Sequence, residues 1–137
     1  MFASLSNPRQ AYAKIGTETM VESADPHQLI LMLFEGAMMS VATACHQLEM
    51  GDVSGKGHSI SRAIDIIGNG LKVSLDMGAG GELAQRLQAL YDYMCVRLLH
   101  ANSRNDKAAL EEVSHLLGEL KGAWEEIRQK LQQGAPV

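Results

Sequence analysis

Asp25-Pro26-His27-Gln28-Leu29-Ile30-Leu31-Met32-Leu33-Phe34-Glu35-Gly36-Ala37-Met38-Met39 decides how this chain folds. Asp25 is a good N-cap, because its carboxylate accepts the unpaired amides of a first helical turn. Pro26 suits the first helical position, where no amide hydrogen is needed. Gln28 stands three residues after the cap, in capping-box spacing. Six apolar residues then follow without a break, Leu29 through Phe34. A surface helix needs an apolar stripe, not an apolar cylinder. More apolar surface is present than one core face requires.

The rest of the chain continues the helical pattern. A helix over 26–50 ends at Gly51, a C-cap residue. A second spans 55–77 and is broken by Gly78-Ala79-Gly80-Gly81. A third covers 82–102, and a fourth runs to 132 with Asn105 or Asp106 as its cap. Links this short make sequential helices antiparallel. The expected fold is all-α, an antiparallel up-down four-helix bundle over 25–132. Residues 1–24 form an N-terminal cap segment, with a short helix near 9–15 or an extended strap. Residues 133–137 are a flexible tail.

Composition narrows the function classes. The chain has 137 residues, enough for one domain with a proper core. Its 46% hydrophobic and 4% aromatic content, built on Leu, Met, Ala and Ile, favours helices. A net charge of −4 with no basic run argues against a nucleic-acid surface. The start lacks the pattern of a signal peptide. No apolar run approaches the roughly 20 residues of a membrane span, so direct membrane insertion is not expected. Cys45 and Cys95 lie in helical patterns without a motif and read as reduced, buried thiols of a cytoplasmic protein.

At about 100° per residue each helix carries an apolar stripe. On the first helix, Ile30, Phe34, Ala37, Val41, Ala44 and Leu48 form the core line, leaving Leu31, Met32, Met38 and Met39 outside it. On the second, Ile60, Ile64, Ile67, Leu71 and Leu75 face inward, while Ile66, Val73 and Met77 form another line. The third buries Leu83, Leu87, Leu90, Tyr91, Met94 and Leu98, leaving Tyr93 and Val96. The fourth puts Leu110, Val113, Leu117, Leu120, Trp124, Ile127 and Leu131 on one face. Wide faces between two neighbours explain part of the excess. Three such lines, some rich in adaptable Met, also fit a surface that receives a partner.

Chemical motifs are sparse. Glu112-Val113-Ser114-His115 has the Glu-x-x-His spacing of di-iron bundles, which need a second copy and two more carboxylates. A histidine phosphotransfer domain, a four-helix bundle with one exposed reactive His, is the alternative reading, with His115 as the reactive residue. That family places a Lys where this chain has Gly118. His27, His46, His58 and His100 lack ligand spacing. Gly68-Asn69-Gly70 and the 78–81 glycines follow no strand, so neither reads as a phosphate loop.

Four blocks carry a family resemblance. They are Ala11-Tyr12 with Val21-Glu22-Ser23-Ala24-Asp25-Pro26-His27-Gln28-Leu29-Ile30; Met32-Leu33-Phe34-Glu35-Gly36-Ala37; Gly51-Asp52 with Ala63-Ile64-Asp65-Ile66-Ile67 and 71–76; and Gly80-Gly81-Glu82-Leu83-Ala84, Leu90-Tyr91-Asp92-Tyr93-Met94, Ala101-Asn102, Glu112-Val113 and Ala123-Trp124. In this order and spacing the chain resembles the FliS family of flagellin-specific export chaperones. Asp25 replaces a usual Ser, and both cap. Phe34-Glu35 replaces a common Tyr-Asp pair.

The resemblance implies a cytoplasmic, non-enzymatic protein without cofactor. It implies that the chaperone binds the disordered C-terminal segment of flagellin, prevents premature polymerisation, and reaches export-gate components as the chaperone–flagellin complex. It also implies that the segment bearing Tyr12 lies over part of the binding surface. The expected partner surface is Tyr12, Ile15, Leu31, Met32, Met38, Met39, Ile66, Val73, Met77, Tyr93 and Val96. A weak homodimer through that surface is a further expectation.

Overall fold

The computed structural model describes residues 25–132. Helix α1 is Pro26–Glu49 and α2 is Val53–Ile66. A π-helical segment, Ile67–Lys72, continues α2. Helix α3 is Gly81–Arg104 and α4 is Lys107–Gln132. The all-α bundle expected from the sequence is present, and the described residues contain no strand. The cap and tail expected at 1–24 and 133–137 lie outside the described residues.

Local chemistry sets the ends. The Asp25 carboxylate accepts the Gln28 amide at 2.7 Å, and Pro26 opens α1. Gly51, at φ 75°, turns the chain where a side chain would be strained. Asp52 then caps α2 through the Gly55 amide at 2.9 Å, so α2 starts two residues before the 55 read from the sequence. Asn105, at φ 51°, closes α3 in the left-handed conformation. Asp106 caps α4 by accepting the Ala109 amide at 3.3 Å.

The second helix differs most from expectation. Regular α structure stops at Ile66 rather than 77. The π turn and two tight i→i+3 bonds, Ser74 N–H to Leu71 O and Leu75 N–H to Lys72 O, finish it. Residues 73–80 cross to α3. Their return is tight at Gly80, where a Cβ would stand 2.6 Å from both the Ala84 Cβ and the Asp76 carbonyl.

Helix α1 packs against α2, α4 and the π turn, and α3 packs against α4, the π turn and α2. Helices α1 and α3 are therefore diagonal. Having three neighbours explains the apolar cylinder: Leu29 through Phe34 are all buried. Two residues assigned to spare surface are corrected on that ground, Leu31 at 8% exposed and Met32 at 4%. Ile66, at 2% exposed, is corrected too. It ends α2 where the helix enters the π turn, and it belongs to the core. By length and composition α1 is apolar enough to cross a membrane, contrary to the reading of the sequence, and an 18-residue window of it has a mean hydropathy of 1.5. Here 56% of that window is packed inside the bundle, as in a core helix.

The core's most unusual member is Lys56, 2% exposed. Its amine donates to the Asn102 carbonyl at 2.9 Å and to the Asn105 side-chain oxygen. It thereby pins α2 to the last turn of α3, whose carbonyls would otherwise lack partners.

Candidate functional site

At the end of the bundle holding the N-terminus of α1 and the C-terminal half of α4, the core stripes do not meet. Because α2 and its π turn end at Lys72, nothing in that layer matches the length of α4 among the described residues. A groove of about 360 Å³ results. Ile30, Phe34 and Leu71 are buried residues that line it, and Leu75 adds to the π-turn side. Leu83, Leu87 and Tyr91 come from α3, and Leu120, Ala123, Trp124 and Ile127 from α4. Ser74 and Asp76 are its polar members. The Ser74 hydroxyl donates to the Gly70 carbonyl at 2.6 Å, and Asp76 accepts the Ala79 amide at 2.9 Å. Trp124 spends its indole N–H on the His27 carbonyl at 2.9 Å, with the two rings stacked 4.2 Å apart at 7°. Polar groups at this site are thus engaged within the protein, leaving an apolar lining suited to apolar side chains.

By helical period most of these residues belong to the core lines. Leu83 is the clearest case: it sits on the α3 core line yet is 66% exposed. Leu87, Leu120, Trp124 and Ile127 are half-buried. The signal for an open end was the glycine run at 78–81, read against a fourth helix continuing to 132. A helical period by itself does not register where a neighbouring helix ends.

The expected partner residues are dispersed. Tyr12 and Ile15 lie outside the described residues. Leu31, Met32 and Ile66 are buried, as stated. Met38 is partly buried against the core. Met39 is 70% exposed on α1. Val73 and Met77 are exposed beside the groove residues 74–76. Tyr93 and Val96 are exposed on α3, diagonal to Met39, and Leu99 joins them. The Tyr93 hydroxyl donates to Glu112 at 2.5 Å, and Arg97 pairs with the other Glu112 oxygen at 2.7 Å. The Tyr93 hydrogen bond first and Arg97 second hold the Glu112 carboxyl below its ordinary value of 4.5.

Among the described residues, the other titrating groups show no reactive arrangement. Burial raises the thiols of Cys45 and Cys95, which makes them poorer nucleophiles. His115, the residue weighed for phosphotransfer, is exposed and faces Glu119 at 3.1 Å one turn along α4. Among the described residues, no group of three or more His, Cys, Asp or Glu side chains is placed to hold a metal.

Comparison with known proteins assigns the family. Residues 8–131 match the family described as flagellar protein FliS. The chain is 53% identical over 121 residues to the flagellar secretion chaperone FliS of Salmonella typhimurium, covering 88% of this chain and 90% of that protein. It is 50% identical over 117 residues to the protein of that name from Escherichia coli, covering 85% and 86%. With the flagellar secretion chaperone FliSB of Pseudomonas aeruginosa it shares 44% over 116 residues, covering 85% and 91%. None of these matches points to phosphotransfer. An apolar groove in a four-helix bundle and agreement along nearly the whole chain lead to one assignment: the chain belongs to the FliS family of flagellar proteins.

Proposed function

We propose that this chain is a cytoplasmic export chaperone of the flagellar secretion system whose groove receives the disordered C-terminal segment of flagellin. Covering that segment keeps flagellin from polymerising before export, and the complex is what export-gate components meet. The single observation carrying the reading is the groove, whose apolar walls continue directly into the core. An unfolded partner loses conformational entropy on binding, so it needs a long apolar contact to compensate.

One groove is too short for that alone. Val73 and Met77 extend the contact at its rim, Tyr93 and Val96 extend it along α3, and Met39 stands on the diagonal helix. The bound segment therefore wraps the bundle rather than lying along one face. Tyr12 and Ile15, in the segment leading to Asp25, cover part of the apolar surface until flagellin displaces them. Left uncovered, the same surface pairs two copies weakly.

Calorimetry with a flagellin C-terminal peptide tests the proposal. Val73→Asp and Val96→Asp replace exposed side chains, so both should stay folded and weaken binding by about tenfold each. Folded variants that bind like wild type would remove these residues from the surface. Deleting residues 1–20 should raise affinity and hydrophobic-dye binding together. No change in either would discard the covering segment.

A further inference from the structure

Helix α4 changes character at Gly118. Before it, Ala109, Leu110, Val113 and Leu117 are fully buried. After it, Leu120, Trp124 and Ile127 are half-buried along the groove. Two glycines occupy this boundary, and packing requires neither. A Cβ on Gly118 would make an ordinary 3.6 Å contact with the Met38 Cε, and a Cβ on Gly122 would meet nothing within 4 Å. Neither has a positive φ. In a helix interior only proline is worse than glycine, so the helix is intrinsically weakest where its packing also thins.

Among the described residues, two side chains beyond Gly118 tie α4 to α1 by polar or ring contacts. Trp124 holds His27 by one hydrogen bond and one ring stack. Lys121 approaches Glu35 at 3.6 Å, a surface ion pair of little strength. Across the groove, Leu83 and Leu87 of α3 form the facing wall.

We propose that α4 beyond Gly118 is a hinged jaw of the groove, latched to α1 by Trp124 and His27, which swings to admit apolar segments of different bulk. The proposal rests on the reading of the groove as the substrate site. Small changes of φ and ψ at Gly118 would move Leu120, Trp124 and Ile127 together, and changes at Gly122 would turn Trp124 and Ile127 further, as hinge residues do. Leu120 and Trp124 pack only partly against the core, so opening this half uncovers less apolar surface than parting the closed half would, and an occupant that covers it can shift the populations. A chaperone that grips successive stretches of an unfolded chain gains from a wall that yields.

The test is the double variant Gly118→Ala/Gly122→Ala, which stiffens the helix without overlap. Its melting temperature should rise by about 4–8 °C. Its affinity for the flagellin C-terminal peptide should nevertheless fall by about fivefold. A higher melting temperature with unchanged affinity and association rate would overturn the hinge. Hydrogen exchange on the free protein decides the latch separately. Trp124→Phe keeps a ring but loses the N–H, and should speed exchange at 119–127 while leaving 109–117 protected. Unchanged exchange at 119–127 would overturn the latch. If wild type does not bind the peptide, the functional reading fails. The jaw then stands or falls on exchange in the free proteins, where the double alanine variant must slow 119–127 and equal rates would refute it.

Discussion

Leu83→Ala separates an open groove from a closed core. Full burial of a leucine side chain stabilises by about 1.5–3 kcal/mol. Leu83 is 66% exposed in the free protein, so about a third of that is already realised by folding. The substitution should therefore cost about 0.5–1 kcal/mol of stability, a small shift in melting temperature. The remaining two thirds, about 1–2 kcal/mol, becomes available only when an apolar segment covers it, which corresponds to about 5–30-fold in Kd. Leu117→Ala is the contrast. Leu117 is 0% exposed, so that change should cost about 2–5 kcal/mol of stability. Calorimetry with the flagellin C-terminal peptide and thermal unfolding of both variants give the two numbers. The reasoning fails if Leu83→Ala destabilises as Leu117→Ala does, or if it binds the peptide as tightly as wild type.

Two further outcomes follow from other parts of the bundle. Lys56→Met keeps the buried stem but removes the donor to Asn102 and Asn105, and should cost about 2 kcal/mol in urea unfolding. A loss within error of zero would mean the amine is not what fastens α2 to the end of α3. Glu112 and Asp106 set an acid limit. Both carboxyls are depressed in the fold, Glu112 by Tyr93 and then Arg97, Asp106 by the Ala109 amide and then His100. A depressed carboxyl stabilises above its unfolded value and loses that contribution as pH falls through its folded value. Stability should drop as pH falls below about 4.5, and Glu112→Gln should shallow the drop. Parallel profiles for wild type and Glu112→Gln would rule out this source.

How far the sequence could be read depended on whether a feature was local. Asp25, Pro26 and Gln28 act within one turn, so the start of α1 was legible to the residue. The glycine break before α3 is of the same kind, and so is the cap of α4, which the sequence narrows to Asn105 or Asp106 and the fold gives to Asp106. The end of α2 was not. Ile60, Ile64, Ile67, Leu71 and Leu75 keep an unbroken α-helical period, and that pattern hid the π turn beginning at Ile67.

The sequence by itself determined four helices, their order and antiparallel sense, and which line of each is apolar. Those follow from caps, glycines and a period of 3.6 residues, all properties of neighbouring side chains. The comparatively uncovered apolar stretches were a tertiary matter. Leu31, Met32 and Ile66 looked spare and are buried, because α1 has three neighbours and Ile66 meets the core at the start of the π turn. Leu83, Trp124 and Ile127 looked buried and line a groove, because α2 stops short of the end that α4 reaches. A stripe states which side chains avoid water; the lengths and placement of the neighbouring helices decide whether they succeed.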